Sequence, residues 1–365
     1  MMHSRAVGMG ATPLICWTLL ASLAGGEAPA PTPGAAPAQP PAVPPTAPAP
    51  ARDATYEITP EARKGIERGL DYLAARQAPD GSFQGPMGSN TGVASFALLA
   101  FVATGIVPDR GARGQLASRG IDFVLAHAGP SGLISNPRQT SGNGPMYEHA
   151  MSTLLLSEVW GVYRRPGLLD ALRRAVDLII SSQNDGGGWR YDPRPADADV
   201  SVTVMQLVAL RAAKDAGLRV PKRTFDLAVK YVRSCARPSG GFLYQPGVGV
   251  EGYARTAAGV ASLLAGGDFE SPEVLGGLRY LEERKEPKVR GDDHLHYALY
   301  YAAQAMAQAP DPRLWRSWYP PARDELLSLQ AADGSWEGEV GPVYGTAMSI
   351  LALSVPYRYL PVYQH

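Results

Sequence analysis

Cysteine is almost missing from this chain of 365 residues: only Cys16 and Cys235 are present. Cys16 lies in an apolar N-terminal stretch, where Pro13, Leu14 and Ile15 make a poor lipoprotein signal. Cys235 is then alone, and one cysteine cannot staple a domain to itself. Stability must come from packing, which a chain of this length can supply. An excess of charge of one sign is missing too, since 34 basic side chains are matched by 34 acidic ones. That balance gives no electrostatic argument for a polyanion, and no nucleic acid partner is expected. Gly-x-Ser-x-Gly, Walker-type and dinucleotide fingerprints are absent, so serine-hydrolase and nucleotide chemistry gain no support.

What is present begins with a leader. Residues 1–26 read as a signal peptide or signal anchor, with Arg5 near the start, an apolar run from Met9 to Ala24 and small residues after it. The run is short for a full membrane span. Residues 27–55 are mostly Ala and Pro and read as a disordered linker, a tether for the folded domain. The expected location is extracytoplasmic: secreted, periplasmic or tethered to a membrane by an uncleaved leader.

From 56 to 361 the chain reads as one domain made of repeats, with a period of about 50 residues. In the first repeat, Ile66, Leu70 and Leu73 recur at helical spacing. Asp80-Gly81-Ser82-Phe83 stops that helix, and Asn90 or Thr91 caps a second. The pair returns five times. The spacing predicts first helices near 61–77, 114–128, 168–183, 221–236, 272–284 and 316–330, and second helices near 91–104, 147–163, 199–216, 253–265, 294–308 and 344–356. The turn phrase returns at 130–133, 184–189, 238–242 and 333–336, while the fifth repeat has Glu286-Pro-Lys-Val instead.

The two helix classes differ. First helices carry charge, as at Arg63, Lys64, Glu67 and Arg68; second helices, such as Phe96 to Val102, are apolar on nearly all sides. A helix apolar all round is buried all round. The second helices therefore form an inner layer and the first an outer, wet one. The expected fold is all-α, an α/α toroid (α6/α6 barrel) of about six helical hairpins, with an open solenoid as the competing architecture. Gly in the turn phrase supplies left-handed backbone angles. The Phe or Trp that ends the phrase is expected to cover helix ends, and Gln77, Gln183 and Gln330 to satisfy free backbone groups there.

The phrase Gln-x-x-Asp-Gly-Ser-Phe/Trp is similar to the Gln–Trp repeat of squalene–hopene cyclases. The whole plan resembles that repeat superfamily, which includes prenyltransferase β subunits. Trp315-Arg-Ser-Trp-Tyr and Tyr357-Arg-Tyr-Leu-Pro-Val-Tyr resemble segments of exported bacterial members with a single toroid. The resemblance implies an apolar central cavity that binds isoprenoid chains.

Cyclases of this family use Asp-x-Asp-Asp-Thr at the mouth of an inner helix, where the middle carboxylic acid protonates an alkene. Here Asp197-Ala-Asp199-Val-Ser matches the first and middle positions, but Val200 and Ser201 replace the last Asp and the Thr. The resemblance thus offers Asp199 as acid and Asp197 as its partner; the plainer role of Asp199 is to cap the helix. The prenyltransferase zinc site needs a Cys that the inner-helix starts do not have. Asp292-Asp-His-Leu-His296 crowds oxygen and imidazole groups, but two histidines two apart diverge on a helix. No metal and no cofactor are expected.

If the repeats are true repeats, the inner-helix starts converge on one polar mouth. Tyr147, His149, Tyr253, His294 and Tyr344 are expected there with Asp199, and Tyr297 and Tyr300 as cavity walls. The main functional expectation is a pocket for an isoprenoid or other apolar small molecule, with acid-catalysed cyclisation as its enzymatic form. The alternatives are a non-catalytic extracytoplasmic scaffold, and a polysaccharide-active enzyme whose groove would use His149, Arg190, Arg255 and His296. Peripheral membrane association accompanies the tether.

Overall fold

A computed structural model describes residues 57–139, 144–284 and 294–363. The leader and the linker lie outside the described residues, as do Glu286-Pro-Lys-Val and Asp292-Asp293. Six outer helices, α1 (Pro60–Arg76), α3 (Gly111–Ala126), α5 (Leu168–Ser181), α7 (Lys222–Ser234), α9 (Pro272–Glu283) and α11 (Pro312–Ser328), alternate with six inner ones. The inner helices are α2 (Thr91–Ala103), α4 (Met146–Trp160), α6 (Val200–Asp215), α8 (Tyr253–Ala265), α10 (Leu295–Ala307) and α12 (Pro342–Ser354). Each inner helix packs on the next, and α12 returns to α2, so the ring is closed and the solenoid alternative falls. None of the described helices is long and apolar enough to cross a membrane.

Composition explains the layering. Every residue of α2 is buried, whereas α1 buries one stripe that includes Ile66, Leu70 and Leu73. An α-helix with no polar face can sit only where protein surrounds it. Boundaries shift where local chemistry decides them. Asp311 caps α11 by accepting from the Arg313 amide, and Pro312 opens the helix, four residues before the spacing suggests.

The turn phrase joins the repeats. Gln77 donates from Nε2 to the Gly81 carbonyl in its own turn (3.2 Å) and to the Leu116 carbonyl in the next outer helix (2.9 Å). Gln183 does the same with Gly187 and Thr224, and Gln330 with Gly334 and Gly65. Gly334 has φ +91°, and a Cβ there would lie 2.5 Å from the Arg68 carbonyl oxygen; no other residue fits that approach. Phe83, Trp189, Phe242 and Trp336 are fully buried behind these turns. Both indoles donate to helix-end carbonyls, Trp189 to Ile179 at 2.7 Å and Trp336 to Leu326 at 2.6 Å.

The inner helices hold the turns from the other side. Thr203 and Thr256, each four residues after its N-cap, accept the backbone N–H of Trp189 and Phe242 at 3.0 Å. Thr346 accepts that of Trp336. Cys235 is buried, and burial pushes its thiol up to about 12, so it stays an unreactive thiol.

Candidate functional site

The inner helices all point their N-termini towards one side of the ring, where they surround a cavity of about 410 Å³. Distance from the N-cap decides what faces it. Three residues after the caps stand Val93, Glu148, Arg255, Tyr297 and Tyr344, and all five line the cavity. Phe96, Met151 and Met205 lie six after their caps and line its depth. The 3.6-residue period puts these positions on one stripe. The cavity is therefore apolar deep down and polar at its mouth, where Tyr147, Tyr191, Ser201, Tyr244, His294 and Glu339 complete the wall.

Asp199 lies behind that wall, fully enclosed, and does not line the cavity. Oδ1 accepts from the Val202 amide at 2.9 Å, the N-cap bond of α6. Oδ2 accepts from the Tyr244 hydroxyl at 3.2 Å and lies 3.3 Å from Arg190 Nε. Burial raises its pKa, while the capping amide and the Arg190 guanidinium work against that rise. Tyr244 in turn bonds to the Tyr191 hydroxyl, so the two phenols stand between the carboxyl and the cavity. Asp197 turns the other way. Its carboxylate is 61% exposed, pairs with Arg190 at 2.6 Å, and opens on an outer cleft with Asn184, Pro195 and Gln245. Arg190 clasps both carboxylates and lies over the Tyr191 and Tyr244 rings, behind the cavity wall.

The structure distributes the other expected rim residues unevenly. Tyr147, Arg255, His294, Tyr297 and Tyr344 are at the cavity. His149 is not at the mouth. Four residues after its N-cap, it occupies the place of Thr203 and Thr256: Nδ1 accepts the Ile134 N–H at 3.1 Å, which leaves Nε2 to donate to the Ala175 carbonyl at 3.2 Å. Burial lowers its pKa to about 4, so it is neutral. Tyr253 stands one residue after its cap and faces outward, its hydroxyl accepting from Trp318 at 2.9 Å. Tyr300 is core, edge-on to Phe96 and Tyr301. His296 is buried behind Glu339, with Nδ1 3.5 Å from its carboxylate, and His294 approaches the same carboxylate at 3.9 Å. Among the described residues no three His, Cys, Asp or Glu side chains gather as a metal set.

Glu148, Tyr191, Tyr244 and Glu339 are ionisable lining residues that the sequence alone does not place at the cavity. Glu148 sits beside Tyr147 in the first turn of α4. Tyr191 and Tyr244 each come two residues after a turn aromatic, and Glu339 comes three after Trp336. The turn that fixes the aromatic inward also carries Tyr191, Tyr244 and Glu339 to the mouth, so the two or three positions after each aromatic are the signal for these three.

No family model matches the chain. Solved structures share the ring at low identity, which establishes the fold: an α/α toroid. The type II terpene cyclase MstE from Scytonema superposes with TM-score 0.59 at 13% identity, covering 82% of this chain and 99% of that one. Cellobiose 2-epimerase from Bacillus thermoamylovorans B4167 gives TM-score 0.62 at 12% identity, over 80% and 98%. A GH76 alpha-mannanase from Bacteroides thetaiotaomicron gives 0.60 at 9%, over 82% and 96%. In sequence, the chain is similar to a drimenyl diphosphate synthase of Streptomyces showdoensis, 24% identical over 184 residues. That match takes in 50% of this chain and only 33% of the relative's length.

Proposed function

We propose that this is an exported, terpene-cyclase-like protein whose central cavity binds an isoprenoid or another apolar ligand. The observation that carries the reading is the cavity itself, lined in its depth by Phe96, Met151 and Met205 and ringed at the mouth by polar groups. An apolar pocket with a few convergent polar groups is the usual form of a small-molecule site. A terpene cyclase with this ring has been solved with geranylgeranyl dihydroxybenzoate bound. The proposal of export rests on the leader and the Ala/Pro linker; N-terminal sequencing of the mature protein tests it.

The geometry favours binding over acid-catalysed cyclisation. A protonating acid must present its proton to the alkene, yet both oxygens of Asp199 are engaged and Tyr244 stands in front of them. Asp197, its supposed partner, is salt-bridged in the outer cleft. Asp199 is here read as the cap and electrostatic anchor of the mouth. The polysaccharide reading draws support from the tyrosines and carboxylates of the mouth and from the epimerase and mannanase folds.

Native mass spectrometry of the purified full chain, with extraction of what co-purifies, separates these readings. An apolar ligand in stoichiometric amount supports the proposal, and its loss in Met205→Trp, which fills the cavity, places it there. Retention of the ligand by a folded Met205→Trp protein, or capture of soluble sugars instead, would overturn the reading.

A further inference from the structure

The cavity contains a hydrogen-bond acceptor that the described residues leave unused. Glu148 is 2% exposed. Its Oε2 accepts the Thr91 N–H (3.1 Å), the Thr91 hydroxyl (2.8 Å) and the Asn136 N–H (3.1 Å). Its Oε1 has no partner among the described residues, and Glu148 lines the cavity. A buried acceptor without a donor is costly, and a carboxylate oxygen more so, unless something else supplies the donor. Glu148 is pinned by three bonds to one oxygen, so the other is held in place and not free to turn away.

The surroundings select the sign of that something. Helix N-termini attract anions, but here the chain has filled two of them from within. Asn90 takes the Gly92 and Val93 amides of α2 and Glu148 takes that of Thr91; Asp199 takes an amide of α6. Glu339 adds a second carboxylate to the wall. Arg255 is the one guanidinium among the described lining residues; its Nη2 is bonded to the Val250 carbonyl at 2.7 Å, and its Nε is buried with no partner among the described residues. A phosphate ester would bring charge towards two carboxylates, and the single Arg255 guanidinium is outnumbered by them in the described wall.

We infer that the ligand's polar end is a hydrogen-bond donor, an alcohol or an ammonium group seated on Glu148 Oε1, and not a diphosphate. This rests on the cavity being the ligand site proposed above. The test measures equilibrium binding of three probes with one C15 chain to the full-length protein at neutral pH: farnesol, farnesylamine and farnesyl diphosphate. The alcohol and amine are expected to bind roughly ten-fold or more tightly than the diphosphate. In Glu148→Gln the amine should weaken by roughly ten-fold and the gap to the diphosphate should narrow. Diphosphate binding as tight as that of the alcohol overturns the inference and leaves the pocket reading standing. An amine affinity unchanged in folded Glu148→Gln removes the role of Glu148. If that variant does not fold, the ranking of the three probes on the unaltered protein decides alone. Failure of all three to bind ends the pocket reading and this inference with it.

Discussion

Gln330 donates from its side-chain amide to the carbonyl of Gly65, 265 residues away along the chain, at 2.9 Å. The same amide holds the Gly334 carbonyl. One side chain thus joins the last turn to the first helix. Gln330→Ala would strand two carbonyls in a half-buried seam, and the expected loss is about 1–3 kcal/mol. Chemical denaturation of the two proteins measures it. Gln183→Ala, which removes the equivalent pair of bonds inside the ring, should cost a similar amount.

His149 makes stability fall in acid. Its folded pKa is about 4 against 6.5 unperturbed, because burial disfavours the imidazolium. Below 6.5 the unfolded chain takes up a proton that the folded one refuses, so stability declines as pH drops from 6.5 towards 4. Glu158 titrates with the opposite slope over most of that window, so the decline should show in unfolding curves of Glu158→Gln, and adding His149→Gln should flatten it at the cost of a lower plateau at neutral pH.

Glu158 acts in the opposite direction. It is buried at the far pole of α4, and burial raises its carboxyl from 4.5 to about 8. Between those values the unfolded chain releases a proton that the folded chain retains, so stability falls as pH rises from 4.5 to 8. The expected size is a few kcal/mol at most. Glu158→Gln should remove this slope and leave the protein more stable than its parent at pH 8. Together the two residues set maximal stability in mildly acidic solution.

Arg190 separates two carboxylates that look alike in the sequence. Arg190→Ala would leave Asp199 enclosed without its counter-charge, and breaking a buried pair in this way costs about 3–5 kcal/mol. Asp197→Asn touches a largely exposed pair and should cost under about 1 kcal/mol. Thermal unfolding of the two variants distinguishes these outcomes. Equal effects would show that Asp199 does not depend on Arg190.

The ring was legible because its causes are local and repeated. Asp-Gly-Ser-Phe demands a left-handed glycine, and an apolar-all-round helix demands an inner layer; neither needs tertiary knowledge. The cap role of Asp199 was legible for the same reason. Orientation at the mouth was less so. Tyr147 and Tyr253 both open inner helices, yet the first is two residues after its cap and faces the cavity, while the second is one residue after and faces Trp318. A single residue turns a helical side chain by about 100°, since 3.6 residues make a turn, and the caps at Pro145 and Gly252 carry no side-chain signature that would fix the count. Glu148 and His149 show the same sensitivity: neighbours in sequence, one serves the cavity and the other a turn.

The bond from Gln330 to Gly65 also means that no hairpin is first or last within the fold. The first, third and sixth turns grip the next hairpin through the same glutamine bond, and the sixth does so across the join. The order in which the chain visits the hairpins is thus a property of the covalent thread alone. A protein cut between two inner repeats, with α12 spliced to α1, should settle into the same circle, whereas duplicating one hairpin would force a wider ring and a different hollow.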